Sequence, residues 1–155
     1  MNKVLFFTLT LLLITLVNSF AQSVKNDGVE TYISLDKDTF SITEEVILKF
    51  EVINGSEEDL TFCKFQTPFE GFMAEFMLIK NIETGKELIY QGPQVKRSKP
   101  GKKDDLKIEA KGSKDCEVTL LEVYEFEKKG EYSIQFIGSE INSLPDSNVL
   151  IVEVE

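Results

Sequence analysis

The chain has 155 residues and a formal charge of −10, with no histidine, no tryptophan and two cysteines. The missing imidazole excludes Ser-His-Asp and Cys-His hydrolases, HExxH zinc enzymes and most imidazole-built metal sites. The acidity opposes binding to nucleic acid and to anionic lipid, and suits a partner that carries a basic patch.

The first element is an export signal. Lys3 precedes the apolar run Val4–Val17, broken only by threonines, and Ser19-Phe20-Ala21 supplies small residues where a signal peptidase reads. The run is short for a membrane span, which needs roughly 20 residues, so residues 1–21 are expected to be removed. The mature chain then carries −11 after the loss of Lys3. It is expected outside the cytoplasm, secreted or periplasmic, with no membrane span. Residues 22–28 read as a flexible N-terminus and 29–155 as one domain.

Val29–Leu35 alternates as a first strand, and Asp36–Ile42 is a turn plugged by Phe40. Glu45–Ile53 is the clearest strand, with Val46, Leu48, Phe50 and Val52 on one face. Asn54-Gly55 breaks it, and Asn54-Gly55-Ser56 also fits a glycosylation sequon. Leu60–Phe65 is the next strand. Phe72–Ile82 and Lys86–Tyr90 are expected to form a hairpin closed by Glu83-Thr84-Gly85. Gln91–Lys103 has no apolar period and carries Gly92, Pro93, Pro100 and Gly101, so it is a long loop. Leu106–Ala110 and Cys116–Leu121 follow as strands, then a helical turn within Leu121–Lys129. Tyr132–Phe136 and Asn148–Val154 complete the set. Gly130-Glu131-Tyr132 has the spacing of a tyrosine corner. Eight or nine short strands with turn signals at about 8–12-residue spacing predict an all-β, immunoglobulin-like antiparallel sandwich with Greek-key links.

Chemistry-bearing residues are few, so the reading is of a binding module and not an enzyme, with no cofactor. The expected Phe72–Ile79 strand is apolar on both faces, which requires either cover from the 91–103 loop or a bound partner. On the second reading Met73 and Met77 belong to an adaptable binding face. Thr67-Pro68-Phe69-Glu70-Gly71 is a stiff turn that either makes a corner or presents Phe69 and Glu70 to a partner. Lys96, Arg97 and Lys99 are a basic cluster in an acidic chain. Cys63 and Cys116 are either a disulfide pair of an exported protein or two buried thiols. Asp36-Lys37-Asp38 and Glu57-Glu58-Asp59 are solvated acidic turns without the spacing of a calcium loop. A generic adhesion or ligand-binding sandwich at the cell surface is the competing function.

Three segments then align in order with one family. Lys64-Phe65-Gln66-Thr67-Pro68-Phe69-Glu70-Gly71, Tyr90-x-Gly92-x-x-x-Lys96-Arg97 and Tyr124-Glu125-Phe126-x-x-x-Gly130-x-Tyr132 resemble the N-terminal pro-region of bacterial deuterolysin-like (aspzincin) metallopeptidases. The resemblance runs from about Val29 to Phe136. This chain has Phe65 where the family commonly has Trp and Phe69 where it has Leu, and it contains no HExxH. The resemblance implies an immunoglobulin-like domain that keeps such a peptidase inactive. The peptidases favour Lys on the primed side of the cut, so it further implies Lys96 as bait, with Glu70 and the Phe72–Ile79 face supporting the docking.

Overall fold

The alternating apolar residues of Glu45–Ile53 become the centre of one sheet. In a computed structural model, which describes residues 28–155, Val46, Leu48, Phe50 and Val52 are all fully buried. The export signal and residues 22–27 lie outside the described residues. The strands are β1 Val29–Leu35, β2 Thr39–Phe40, β3 Ile47–Asn54, β4 Leu60–Cys63, β5 Met77–Asn81, β6 Asp105–Ile108, β7 Ser113–Thr119, β8 Gly130–Phe136 and β9 Leu150–Val154. Short 3₁₀ turns at Pro68–Glu70, Lys102–Asp104 and Leu120–Glu122 are the only helical pieces among the described residues. The fold is all-β and sandwich-like, as the sequence predicts.

One sheet has the order β1-β3-β7, a second β2-β9-β8-β5, and β4 pairs with β6 in a small third. All pairings are antiparallel except β2 with β9. Phe50 at the middle of β3 lies opposite Ile33 and Cys116, and its ring meets Phe136 of β8 at 4.7 Å. That contact joins the two larger sheets. Each such ring stabilises the fold by about 1.5–3 kcal/mol through burial. A second aromatic group, Phe40, Phe126 and Tyr132, packs edge to face at 5.0–5.4 Å. Tyr132 Oη donates to the Lys128 carbonyl at 2.8 Å, the bond of a tyrosine corner. β7 is an edge strand, and its exposed Lys114, Asp115 and Glu117 discourage pairing with another chain.

The predicted hairpin is corrected. The strand expected from Phe72 begins only at Met77. Strict alternation fails because Phe76 and Met77 are adjacent and both buried. Upstream, Phe72 stacks on Phe76 at 5.2 Å with nearly parallel rings, which places both on one side of an irregular segment. The apolar character of both expected faces therefore comes from a fold-over segment followed by a one-sided strand. The return arm after Gly85 (φ +67°) touches β5 through the Lys80–Glu87 bridge. Flanking bonds run from Asn81 N–H to the Lys86 carbonyl and from Leu88 N–H to the Ile79 carbonyl.

Asn54 is the last residue of β3, where the sequence places the break. Its side chain is fully buried and donates to the carbonyls of Glu58 (2.8 Å) and Glu109 (3.0 Å), while its Oδ1 accepts from Ser56 Oγ (2.7 Å). The sequon is thus structural in the folded chain. The Glu57-Glu58-Asp59 turn is also occupied: Asp59 pairs with Lys107 at 2.6 Å and Glu57 with Lys111 at 2.7 Å. Among the described residues, no three His, Cys, Asp or Glu side chains cluster as a metal site would require. No helix among them is long and apolar enough to cross a membrane.

Candidate docking loop

The Thr67–Gly71 turn forms because its residues cap it. Thr67 Oγ1 accepts from Phe69 N–H, Pro68 occupies the first turn, and Gly71 takes a φ of +71° at the exit. Thr67 Oγ1 also donates to the Lys64 carbonyl at 2.6 Å. Phe69 does not project outward. Its ring lies 5.7 Å from both Phe50 and Phe62, so it plugs the gap between the β1-β3-β7 sheet and the small β4-β6 sheet.

Glu70 is likewise turned in, with its side chain only 5% exposed. Oε1 accepts the backbone N–H of Gln66 at 2.9 Å, and Gln66 adopts a left-handed φ of +56° to deliver it. Asn142 Nδ2 holds the Gln66 carbonyl at 3.1 Å. Oε2 is buried and lies 2.8 Å from Arg97 Nη2, off the line of an N–H, so this contact is ionic rather than a directed hydrogen bond. The Arg97 guanidinium sits 4.4 Å above the Phe65 ring centroid. Cation–π attraction and the ion pair act on one group, in the planar geometry that arginine suits.

The 91–103 loop is therefore tied down at several points, although residues 93–103 stay exposed at the surface. Tyr90 Oη lies 2.9 Å from the Phe72 carbonyl and 3.0 Å from that of Pro93. Burial first, then Glu75 and Glu70, pushes the Tyr90 hydroxyl pKa up, which keeps the proton it donates. Gln91 N–H donates to the Val123 carbonyl, and Val95 N–H to the Met73 carbonyl at 3.0 Å. Gly92 packs so closely that a Cβ there would collide with Tyr90 and Val123. Between the anchors at Val95 and Arg97, Lys96 remains exposed, beside the exposed side chains of Met73 (40%) and Val95 (44%).

Of the residues singled out from sequence, Lys96 and Met73 thus face solvent, Arg97 and Glu70 meet each other, and Phe69 and Met77 are packed inward. Met77 is 3% exposed and belongs to the core beneath β5. The Cys63–Cys116 disulfide is not formed: both thiols are free, Cys63 buried in β4 and Cys116 half-buried in β7. Cys63 Sγ accepts the Phe65 N–H at 3.4 Å. Burial, then Asp115 and Glu117, pushes the Cys116 thiol up to about 12.

Sequence reasoning missed the anchors Phe65, Tyr90 and Val95. The available signal was an aromatic residue immediately before the Gln-Gly-Pro segment, a position where a ring can lie across the loop it precedes. A separate cleft of about 210 Å³ opens between the return arm and the 125–128 segment. Gln91–Glu125 and Lys86–Glu127 bridge it, with Leu88 and Tyr132 in its lining. Its lining contains no cysteine, serine or histidine. No family model matches the chain, and no curated protein matches it either.

Proposed function

We propose that this chain is a non-enzymatic, exported protein-binding module that acts as an inhibitor or pro-domain-like partner of an extracellular metallopeptidase. The observation that carries the reading is Lys96, exposed between two residues that are each tied to the body of the domain. A loop backbone that is already fixed loses little freedom when Lys96 enters a pocket, which favours binding. Met73 and Val95 add apolar contact beside it. Glu70 and Arg97 brace the loop, while Phe69 and Met77 are packed in the body of the domain, instead of touching the partner. The acidic body steers towards a basic rim on the peptidase. The division of strands, β1-β3-β7 against β5-β8-β9, and the Tyr132 corner fit the immunoglobulin-like pro-region that the sequence resembles.

The test is complex formation. Size-exclusion chromatography of the protein with an aspzincin peptidase is expected to give a co-eluting complex that Lys96→Ala weakens. Separate elution at micromolar concentrations of both proteins removes the reading.

The cleft beside the exposed Ile89 (74%) favours a second reading, a ligand-binding or adhesion sandwich at the cell surface. That reading expects binding to survive Lys96→Ala and to fail when Ile89 is replaced by Asp.

A further inference from the structure

The basic loop has an internal brace whose parts come from three distant stretches of the chain. Asn142 holds the Gln66 carbonyl, the left-handed Gln66 points its N–H at Glu70 Oε1, and Glu70 Oε2 meets Arg97. Arg97 is the residue immediately after Lys96. Glu70 Oε2 is buried and meets no directed hydrogen bond, so Arg97 is the charge that offsets it. Lifting the loop separates Arg97 from Glu70 and gives up this pairing, which disfavours the lifted state. Phe65 adds a face on which the guanidinium rests.

We infer that Glu70 is the positioning residue of the docking loop: acting through Arg97, it holds the bonds on either side of Lys96 in a cleavage-resistant conformation. Val95 N–H on the Met73 carbonyl anchors one flank and Arg97 on Glu70 the other. A peptidase that cuts next to Lys96 must either displace one anchor or leave both new chain ends tethered in place. The second outcome favours retention of the cut loop over release of product, by preorganisation. This inference rests on the proposed function only for the identity of the peptidase. The brace itself concerns the loop of the free protein.

Endoproteinase Lys-C serves as the probe, because it cuts after lysine and not after arginine whatever the natural partner is, so Arg97 adds no second cut in the wild type. The purified chain is digested, and cleavage after Lys96 is followed by mass spectrometry. Glu70→Gln keeps an acceptor for Gln66 N–H and removes the charge that Arg97 meets. It is expected to speed cleavage after Lys96 by about tenfold, the scale of one lost charge-assisted contact when cleavage tracks the open population. In an Arg97→Gln background the same change is expected to add nothing.

Equal cleavage of the wild type and Glu70→Gln overturns the inference. So does equal acceleration in both backgrounds, which would assign Glu70 to the turn alone. Should Glu70→Gln lose its cooperative melting, Arg97→Gln decides by itself. It is expected to melt below the wild type, because it leaves the Glu70 carboxylate unpaired, and to be cut after Lys96 about tenfold faster under conditions where it is still folded; wild-type cleavage there overturns the brace. A brace that passes while the protein fails to bind an aspzincin peptidase removes the target and keeps the device. Binding without the coupling removes the device and keeps the target.

Discussion

Replacing Tyr90 by Phe isolates one anchor of the 91–103 loop. The change deletes a single oxygen from a ring that is 9% exposed and packs on Tyr124 at 5.6 Å and Phe72 at 6.5 Å. The ring stays, so no large cavity forms and the apolar contribution is nearly unchanged. What is lost is one hydroxyl proton shared between two carbonyls. The Pro93 carbonyl belongs to an exposed residue and regains water; the Phe72 carbonyl belongs to a buried one and does not regain it fully. A hydrogen bond contributes about 0.5–1.5 kcal/mol net, and an unsatisfied buried acceptor costs about 1–3 kcal/mol. Partial rehydration places the total near 1–2 kcal/mol. For a domain of this size each kcal/mol moves Tm by roughly 3–6 °C. Urea denaturation would give the global loss and hydrogen exchange at Val95 N–H the local one, since that amide reports whether the loop lies on the Met73 carbonyl. A Tyr90→Phe protein with wild-type stability and undiminished Val95 protection refutes the claim that this hydroxyl anchors the loop.

Three further outcomes follow from the same structure. Asn54→Ala is expected to cost about 2–4 kcal/mol in urea melts, because the carbonyls of Glu58 and Glu109 lose a common donor; a loss under about 0.5 kcal/mol contradicts that role. Thiol titration is expected to find two free thiols after unfolding, with Cys116 unreactive in the native chain at pH 8. Its thiol pKa is raised on folding, so its effect on stability is unfavourable as pH climbs from about 8.5 towards about 12. The hydrogen bond from Lys107, then that from Ala110 N–H, holds the Asp59 carboxyl below its ordinary value. The stability it contributes is therefore present above about pH 4 and lost as pH falls through the lower folded value. An NMR titration that puts its midpoint at or above the ordinary value, or that does not rise in Lys107→Met, contradicts this.

The fold was readable because burial writes its period into the chain. Leu48, Phe50 and Val52 alternate cleanly, Gly85 marks a left-handed turn, and Gly130-x-Tyr132 marks a corner, each a local consequence of backbone sterics or one-sided packing. The 91–103 loop was only half readable. Its existence follows from Gly92, Pro93, Pro100 and Gly101, but its attachment depends on pairings far apart in sequence. Arg97 with Glu70 and Asn142 with Gln66 leave no local period. Phe69 and Met77 were misassigned for a related reason. Whether an apolar residue next to a turn faces solvent or core is set by tertiary packing, here by Phe50 and Phe62, and not by its neighbours in sequence.

Inhibition of an aspzincin peptidase bears most directly on the whole account. Peptide hydrolysis is followed with increasing amounts of the wild-type chain and of Lys96→Ala. The account predicts dose-dependent slowing by the wild type and a clear weakening in the variant, with the Lys96 loop recovered largely uncut from the wild-type mixture. Undiminished hydrolysis at micromolar excess, or equal slowing by both proteins, contradicts it.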